Sequence, residues 1–277
     1  MMIRVSIITI VYNGEKTIEH TIKSVINEKK NNTNIEYIII DGQSTDRTNE
    51  IICKYDKDID VYISEKDNGI HDAINKAIKL CTGDYYIVLA ADDQLLPNAI
   101  QEFRESLKDN IDVWCGSIIC YVNGYYMYKK SKIYLDELYR CCSLMHPATF
   151  FKKERIESVG YYDNSFKVAG DRDIFLRLYV NGAKFQIENI PITLFAMDGV
   201  SVNNHKLAME EDYKLCVRYG MTDKEACENI NNMSESKIRK LLKKVLVKIH
   251  MYKFVACLLG KSSNFVTREE LDKYKLS

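Results

Sequence analysis

The chain has 277 residues, enough to bury a full core as one large domain or two small ones. Its 39 basic and 39 acidic residues balance, so no net field attracts nucleic acid and no nucleic-acid partner is expected. The nine cysteines form no Cys-x-x-Cys pair and the five histidines show no zinc-ligand spacing, which argues against a zinc site. No signal peptide is visible, and no apolar run approaches the roughly 18 residues of a transmembrane helix. We therefore expect a protein that is soluble or lies on a membrane surface.

The first 90 residues alternate short apolar runs with amphipathic helical patterns. The runs are rich in β-branched and aromatic residues, which is typical of strands buried on both faces. They lie at 5–11, 35–40, 61–63 and 85–90. Between them, apolar residues recur at helical spacing, as in Ile18, Ile22 and Ile26. The alternation predicts an α/β fold with a doubly wound, mostly parallel sheet.

Polar residues follow each of these four strands at its carboxyl end, where open α/β sheets bind ligands. They are Tyr12-Asn13, Asp41, Glu65-Lys66-Asp67 and Asp92-Asp93. Each group alone is typical of a loop, but all four would line the same edge of one sheet. Adjacent carboxylates such as Asp92 and Asp93 repel each other, and a hard divalent cation relieves that repulsion. The pattern therefore predicts a ligand site at this edge.

The loops after the first two strands limit the kind of ligand. No Gly-x-Gly-x-x-Gly follows the first strand and no Gly-x-x-x-x-Gly-Lys occurs in the chain, which argues against a Rossmann dinucleotide site and a P-loop. The loop 41–46 would present carboxylates, which suit a base N–H or a ribose hydroxyl better than a phosphate. Ser44 or Thr45 is expected to cap the helix that follows.

Beyond Asp93 the pattern changes to shorter, mixed elements. Pro97 is expected to open a helix that reaches about residue 107. Asn123-Gly124 predicts a hairpin between the strands 112–121 and 125–128, and another short strand is predicted at 148–151.

A helix that begins within 166–178 and ends at Gly182 carries two carboxylates in its first turn, Asp171 and Asp173. Carboxylates at this position interact favourably with the helix N-terminus, which explains both without any ligand. Because the two residues are two positions apart, they point in different directions. At most one of them should face a ligand.

From about His205 the sequence predicts helices only. The stretch 237–248 has apolar residues on one face and basic residues on the other, and the apolar surface continues to about residue 260. Such a helix can lie on an anionic membrane, or it can pack on the preceding domain with a solvated lysine face. Both interpretations remain open at this stage.

Four stretches in the first 100 residues are specific in their order and spacing. They read SIITIVYN at 6–13, IDGQSTDRT at 40–48, SEKDNGIHDAINK at 64–76 and AADD at 90–93. Together they resemble the nucleotide-sugar-binding half of a family 2 glycosyltransferase of the inverting GT-A type, and the third is similar to enzymes that build bacterial capsule, exopolysaccharide and lipopolysaccharide chains. The resemblance extends more weakly through HPATFF at 146–151 to about Ser201.

The resemblance implies a GT-A fold with a nucleotide-sugar-binding half at 1–100 and an acceptor-binding half at 101–205, followed by a helical extension at 206–277. It implies transfer of a sugar from a nucleotide-diphospho-sugar, with UDP favoured, to a hydroxyl of a lipid-linked glycan acceptor in bacterial surface polysaccharide synthesis. A divalent cation, Mn²⁺ or Mg²⁺, would neutralise the leaving diphosphate. The place of action would be the cytoplasm or the inner face of the cell membrane, with membrane contact through 237–260.

The resemblance also implies roles for residues around the nucleotide. Asp41 would accept the uracil N–H, and Glu15 would lie near the nucleotide. The exit of the first strand would contact the base through Thr9, Val11 and Tyr12. In the Asp-x-Asp-like element, Asp93 would hold the cation against the diphosphate, and Asp92 would contact the ribose or the same cation.

The general base of the family lies in an acidic pair, commonly Glu-Asp, and here Gly170-Asp171 replaces it. The assignment of the base therefore rests on Asp171, with Asp173 the next candidate. His146 could contact the acceptor or the diphosphate, or serve as a buried packing residue. His205 could reach the metal or the diphosphate from a closing loop.

Two other functions compete with this interpretation. A sugar-nucleotide nucleotidyltransferase has a related fold, but a glycine-rich, arginine-containing loop would follow its first strand, and residues 12–16 form no such loop. A non-catalytic glycan- or nucleotide-binding module would not need the carboxylates of Asp41, Asp92, Asp93 and Asp171 together. Metal-independent UDP binding would favour the module.

Overall fold

The computed structural model describes residues 2–122, 125–132, 138–139, 143–196, 205–233, 265–274 and 276. Its strands are β1 (Val5–Val11), β2 (Ile35–Asp41), β3 (Val61–Ser64), β4 (Tyr85–Ala90), β5 (Gln94–Leu95), β6 (Val113–Val122), β7 (Tyr125–Lys129), β8 (Thr149–Lys152) and β9 (Phe185–Phe195). Its helices are α1 (Ile18–Asn31), α2 (Thr48–Cys53), α3 (Ile70–Leu80), α4 (Ala99–Ser106), α5 (Lys153–Val159), α6 (Gly170–Val180), α7 (His205–Arg218), α8 (Asp223–Met233) and α9 (Arg268–Lys273). A 3₁₀ turn, His146–Ala148, leads into β8.

The strands form one mixed sheet in the order β3-β2-β1-β4-β8-β6-β9-β5, with β7 paired to β6. The pairs among β1, β2, β3 and β4 are parallel, and β6 pairs parallel with β9. Strand β8 runs antiparallel to both β4 and β6, which makes β6 and β9 parallel to β4. The prediction of an α/β fold with a mostly parallel sheet is confirmed.

Two apolar layers cover the two faces of the sheet. Side chains alternate along each strand, so Ile7 of β1 joins the layer with α1, α2 and α4, whereas Ile8 joins the layer with α3, α5 and α6. Both isoleucines have no exposed surface. Because both faces are covered, β1 needs an unbroken apolar sequence, which is the pattern that identifies it in the sequence.

Most predicted elements are confirmed, with differences at the boundaries. The hairpin strands β6 and β7 pair as expected, from Val122 opposite Tyr125 to Ile118 opposite Lys129. The helix at Asp171 begins at Gly170 rather than at residue 166, and Gly182 follows its end with φ +73°.

The prediction that Ser44 or Thr45 caps α2 is wrong. Helix α2 starts at Thr48 without a side-chain cap, because the hydroxyl of Ser44 is bound to the carboxylate of Asp41 instead.

Three strands or helices of the structure have no counterpart among the predictions. They are the short helix α5, the two-residue strand β5, and β9, an 11-residue strand that lies between β6 and β5. The end of β9 matters for the site, because the backbone N–H of Ala196 donates to Asp93.

The chain returns to the sheet near its C-terminus. Phe265 forms an antiparallel bridge with Met127 of β7, and the N–H of Val266 donates to the carbonyl of Tyr126 at 3.0 Å. The predicted basic helix at 237–260 lies outside the described residues. In the described part of the chain, no helix has the length and apolarity that crossing a membrane requires.

Candidate active site at the carboxyl edge of the sheet

The loops after β1 and β2 are tied together at the carboxyl edge. The side-chain oxygen of Asn13 accepts from the N–H of Thr45 at 2.9 Å, and the N–H of Asn13 donates to the Ser44 hydroxyl at 2.7 Å. One step further, the Glu15 carboxylate accepts from the N–H of Arg47 at 3.2 Å. Predicted to lie near the nucleotide, Glu15 thus also holds the two loops together.

Asp41 ends β2 and is fully buried between Val11 of β1 and Ser64 of β3. Its carboxylate accepts hydrogen bonds from the backbone N–H and the hydroxyl of Ser44, and from the hydroxyl of Ser64 at 2.5 Å. These bonds account for the burial of an acidic side chain. An Asp41 bond to a base N–H would need the Ser44 or Ser64 hydroxyl to turn away.

The predicted base-contacting residues differ in exposure. Tyr12 is 65% exposed beside this edge, so its ring is accessible to a ligand. Val11 is buried, and Thr9 is fully buried with its hydroxyl 3.2 Å from the hydroxyl of Tyr37. The structure therefore brings Tyr12 to the edge and does not bring Thr9 there, because Thr9 lies further back along β1 inside the sheet.

Gly42 has no side chain, which leaves room for the carboxylate of Asp67 in the loop after β3. A Cβ at Gly42 would lie 2.5 Å from the carboxylate of Asp67 and 3.5 Å from the ring of Tyr12. Asp67 in turn accepts from the N–H of Gly69 at 2.9 Å, which fixes the turn into α3.

The two carboxylates after β4, Asp92 and Asp93, differ in how deeply they are buried. Asp93 is 2% exposed, and its side chain accepts from the N–H of Ala196 at 3.0 Å. Burial raises the pKa of Asp93 to about 8, with the charge of Asp92 adding to the effect. Asp92 is only partly buried. In this structure Asp93 joins β4 to the end of β9, and Asp92 is the more accessible carboxylate. That Asp93 holds a cation stays a prediction.

A divalent cation at this edge would need a ligand set shared with the substrate. Within the described ranges, no three His, Cys, Asp or Glu side chains are grouped so that they could hold a metal ion. A single carboxylate at Asp92, completed by diphosphate oxygens and water, suits Mg²⁺ or Mn²⁺.

Asp171 lies at the same edge, on the first turn of α6, opposite the first turn of α3. Its side chain is 44% exposed, and its Oδ1 lies 3.9 Å from Nε2 of His71 and 3.8 Å from Nε2 of His146. Burial alone would raise the pKa of Asp171, but the neighbouring His146 and His71 lower it more, so the net pKa lies below its ordinary value. The carboxylate is ionised at neutral pH and open to a ligand.

His146 is 8% exposed, and its Nε2 lies 2.7 Å from the hydroxyl of Tyr162. Burial lowers the pKa of His146, which favours the neutral ring, and the tautomer of that ring decides whether Nε2 donates to or accepts from Tyr162. The burial of the ring agrees with the packing alternative raised for His146. Contact with the acceptor or the diphosphate stays a prediction.

Asp173 faces the opposite way. It has no exposed surface, and its carboxylate pairs with Arg177 at 2.8 Å and with Arg218 of α7 at 3.1 Å. Asp173 thus links α6 to α7, and of the two carboxylates Asp171 is the exposed one. That Asp171 faces a ligand stays a prediction.

The absence of a side chain at Gly170 has a steric explanation. A Cβ at Gly170 would lie 2.4 Å from Cε1 and Nε2 of His71, which no real Cβ tolerates. The imidazole of His71 thus occupies the space that any side chain at position 170 would need. The replacement of the family's glutamate by Gly170 and the presence of His71 in α3 are two parts of one local arrangement.

Glu211 of α7 holds the loop that leads to Asp171. It is 3% exposed, and its carboxylate accepts from the N–H groups of Lys167, Val168 and Ala169, each at 2.8 Å. Helix α7 also places Asp212 2.8 Å from Arg172. These contacts cross the predicted division at residue 205, so the first helix of the tail supports the site.

Glu211→Gln is expected to destabilise the fold by about 1–3 kcal/mol, because an amide offers one acceptor and points N–H groups at N–H groups. Urea unfolding measures the change. Glu210→Gln is the matched control, since Glu210 is 54% exposed and its nearest cation, Lys206, lies 3.7 Å away at the surface. Equal stability of the two variants would contradict the role of Glu211.

His205 is the first residue of α7, and the closing loop from which it was expected to act falls in 197–204, outside the described residues. The site residues that sequence reasoning did not identify are His71, Tyr162 and Glu211. His71 lies inside the stretch 64–76 that carries the family resemblance, which was the available signal for it. Glu211 is one of two adjacent glutamates, and no signal in the sequence separates it from Glu210.

The model of glycosyl transferase family 2 matches residues 6–175 of this chain. The chain is 31% identical over 203 residues to an uncharacterized glycosyltransferase of Rickettsia typhi, a match that covers 66% of this chain and 61% of that protein. It is 29% identical over 187 residues to the chondroitin synthase of Escherichia coli, covering 63% of this chain and 26% of that protein. The matches thus span about three fifths and about a quarter of these relatives' lengths.

Solved structures share the fold at low sequence identity. Staphylococcus aureus TarS 1–349 in complex with UDP superposes with a TM-score of 0.61 at 17% identity, covering 82% of this chain and 69% of that one. The mannosyltransferase PcManGT of Pyrobaculum calidifontis, in complex with GDP-Man and Mn²⁺, gives 0.60 at 14% identity and covers 100% and 87%. The expected GT-A fold is confirmed. Because the family model covers more than half of the sequence, this chain belongs to glycosyl transferase family 2.

Proposed function

We propose that this chain transfers a sugar from a UDP-sugar to a hydroxyl of a glycan acceptor, with inversion at the anomeric carbon and Asp171 as general base. The observation that carries the proposal is the position of Asp171. It is an ionised, partly exposed carboxylate at the carboxyl edge of the sheet, whereas its neighbour Asp173 is sealed inside. Family membership supplies the reaction class.

The reaction is a single displacement. The acceptor O–H bond breaks as its proton moves to Asp171, and the acceptor oxygen forms a bond to the anomeric carbon. The bond from that carbon to the diphosphate oxygen breaks, and its electron pair leaves with UDP. One base and no enzyme nucleophile give inversion, and a positioned carboxylate contributes about 10²–10⁴-fold to such a step.

The nucleotide half of the site would be built from the loops at the carboxyl edge. Tyr12 offers an exposed ring to the base, Asp41 ends the neighbouring strand β2, and Glu15 lies in the loop after β1. A divalent cation held by Asp92 would neutralise the charge that develops on the leaving diphosphate. UDP is favoured because the family contact at Asp41 is to uracil, and TarS, a structural neighbour, is recorded with UDP and with UDP-GlcNAc.

The acceptor half would comprise 101–205, and the acceptor class follows from the relatives. The Escherichia coli relative is a chondroitin synthase, and another relative from Methanococcus voltae transfers to a dolichyl-linked sugar phosphate by its name. We extend this to a growing or lipid-linked surface glycan, built at the inner face of the cell membrane. Residues 237–260 would then supply the membrane contact.

The difference in exposure between Asp92 and Asp93 predicts that substituting each one changes the Mn²⁺ requirement differently. Asp92→Asn is expected to raise the Mn²⁺ concentration for half-maximal turnover at least about tenfold, because it removes the protein's charged ligand. Asp93→Asn should leave that concentration within about twofold, since its amide oxygen can accept the same hydrogen bond from Ala196. Mn²⁺ titrations of metal-stripped protein, followed by UDP release, measure both. The reverse pattern would return the cation to Asp93.

The function is tested by UDP release from a panel of UDP-glucose, UDP-galactose, UDP-GlcNAc, UDP-GalNAc and UDP-glucuronate, with water as the acceptor. We expect one sugar to be hydrolysed faster than the others, and proton NMR to show the β-anomer of that sugar as the first product from an α-linked donor. A first product of retained configuration would overturn the single displacement. Absence of UDP release from every donor would overturn the UDP-sugar assignment.

A further inference from the structure

We propose that His71 and Asp171 act as one base, in which Asp171 takes the proton of the acceptor hydroxyl and His71 receives it from Asp171. His71 is thus a positioning residue that acts through Asp171. The inference rests on the proposed function and deepens it, because it assigns a second residue to the proton transfer.

The orientation of His71 is fixed by the backbone. Its Nδ1 lies 2.9 Å from the carbonyl oxygen of Phe166, and a carbonyl can only accept, so Nδ1 carries a hydrogen. In the neutral ring, Nε2 therefore carries the lone pair, and Nε2 is the atom that faces Asp171 at 3.9 Å. Parallel stacking on Tyr162, with an interplanar angle of 9°, holds the ring in this plane.

The 3.9 Å between Nε2 of His71 and Oδ1 of Asp171 is beyond hydrogen-bond range, so the two groups must approach before a proton can pass between them. A proton on either atom would turn the contact into a charge-assisted hydrogen bond and draw the groups together. Gly170 leaves the path open, because a Cβ there would lie 2.4 Å from Nε2 itself.

The relative pKa values of His71 and Asp171 determine which of the two groups holds the proton. Burial lowers the pKa of His71, but Asp171 and the Phe166 carbonyl raise it more, and the net pKa lies above its ordinary value. The net pKa of Asp171 lies below its ordinary value. Since ordinary carboxyl and imidazole pKa values are already about 2.6 units apart, a proton that enters the pair resides on His71 by more than about a hundredfold. A lone Asp171 would be a much weaker base.

The other charges around His71 fit this assignment. Glu211 of α7 is buried, and its charge also favours the protonated His71 ring. The lowered pKa of His146 favours a neutral ring there, and its Nε2 lies 2.7 Å from the Tyr162 hydroxyl. The nearest cation on the preceding loop, Lys167, donates to the carbonyl of Asn68 at 2.7 Å. On α3 itself, Asp72 is paired with Lys76 at 3.4 Å.

The pair predicts the pH dependence of turnover. The active form has neither group protonated, so turnover rises with pH through a single apparent pKa above that of free histidine, about 6.5, and this value belongs to the pair. In His71→Gln the remaining base is the carboxylate alone. The acid limb of the pH profile of His71→Gln should therefore move below about pH 5. Turnover on its high-pH plateau should fall about ten- to a hundredfold, because the base is weaker.

Two measurements test the proposal on the full chain. Proton–carbon NMR titration of the histidine rings, assigned with His71→Gln, should show a His71 pKa above 6.5 that falls by about one unit or more in Asp171→Asn. Equal His71 pKa values in the two proteins would overturn the pairing. This measurement needs no substrate, so it separates failure of the pair from failure of the proposed function.

The second measurement is the pH profile of UDP release from the most reactive UDP-sugar of the panel, with water as the acceptor. His20→Gln is the control, since His20 is an exposed residue of α1. An acid limb in His71→Gln at the wild-type position would overturn the relay. A downward shift of the limb together with a lower plateau would support it, and thermal unfolding would confirm that both variants are folded.

Discussion

Asp171→Asn is expected to lower turnover of the UDP-sugar by about 10²–10⁴-fold, because the amide cannot take the proton of the attacking hydroxyl. UDP affinity should stay within about twofold of wild type, since the proposed nucleotide contacts come from the loops after β1, β2 and β4. Stability should change little, because the Asp171 side chain is 44% exposed and its two imidazole neighbours lie 3.9 and 3.8 Å away.

Turnover and UDP binding of Asp171→Asn are measured on the same preparation. Loss of turnover with UDP binding retained supports Asp171 as base. Near-normal turnover would remove the base from Asp171. Because Asp173 is fully buried, attention would then turn to His146, whose Nε2 lies 3.8 Å from Asp171. Loss of both turnover and UDP binding would show that Asp171 shapes the nucleotide site.

Asp173→Asn is expected to have the opposite effect, a loss of stability of about 3 kcal/mol. Asp173 has no exposed surface and neutralises Arg177 and Arg218, so the neutral amide leaves two guanidinium groups without their shared counterion. Breaking a buried ion pair from one side costs about 3–5 kcal/mol, and the partial exposure of Arg218 places the expected value at the lower end.

Urea unfolding measures the effect of Asp173→Asn, with Asp109→Asn as the control because Asp109 lies exposed on the surface. At a temperature where Asp173→Asn remains folded, its turnover should exceed that of Asp171→Asn. A stability within about 0.5 kcal/mol of wild type, the range of ordinary surface substitutions, would contradict the role assigned to this ion-pair cluster.

The first half of the fold is predictable because its strands are buried on both faces. An unbroken apolar run such as Val5–Val11 has few other stable placements, and the helices between such runs leave only a parallel, doubly wound order. The site edge follows from the same topology, since parallel strands bring their carboxyl ends together. The four groups of polar residues at strand ends could therefore be recognised from the sequence.

Strand β9 was not predicted because its alternation of apolar and polar residues changes phase around Asn189. It contains Glu188 and Pro191, and its pairing with β6 shifts register around Ser117, opposite Pro191. Proline removes a ladder hydrogen bond and is usually confined to edges and irregularities. Tertiary pairing with the ten-residue strand β6 outweighs that local preference.

The roles of Asp92 and Asp93 could not be separated for a similar reason. Two adjacent carboxylates have the same chemistry in the sequence, and both follow the end of β4 at Ala90, where strand alternation no longer fixes the direction of a side chain. Which of them is buried depends on Ala196 at the end of β9, 103 residues away along the chain. The contact between His71 and Gly170 is equally long-range, and only the packing of α3 against α6 reveals it.

The central claim is that the carboxyl edge of this sheet binds the nucleoside diphosphate of a sugar donor. Calorimetric titration of UDP into the metal-stripped protein, with and without Mn²⁺ and with GDP as the comparison, tests it most directly. We expect UDP to bind at least about tenfold more tightly with Mn²⁺ than without it, and more tightly than GDP. Absence of UDP binding in both conditions, or UDP binding that is indifferent to Mn²⁺, would contradict the account.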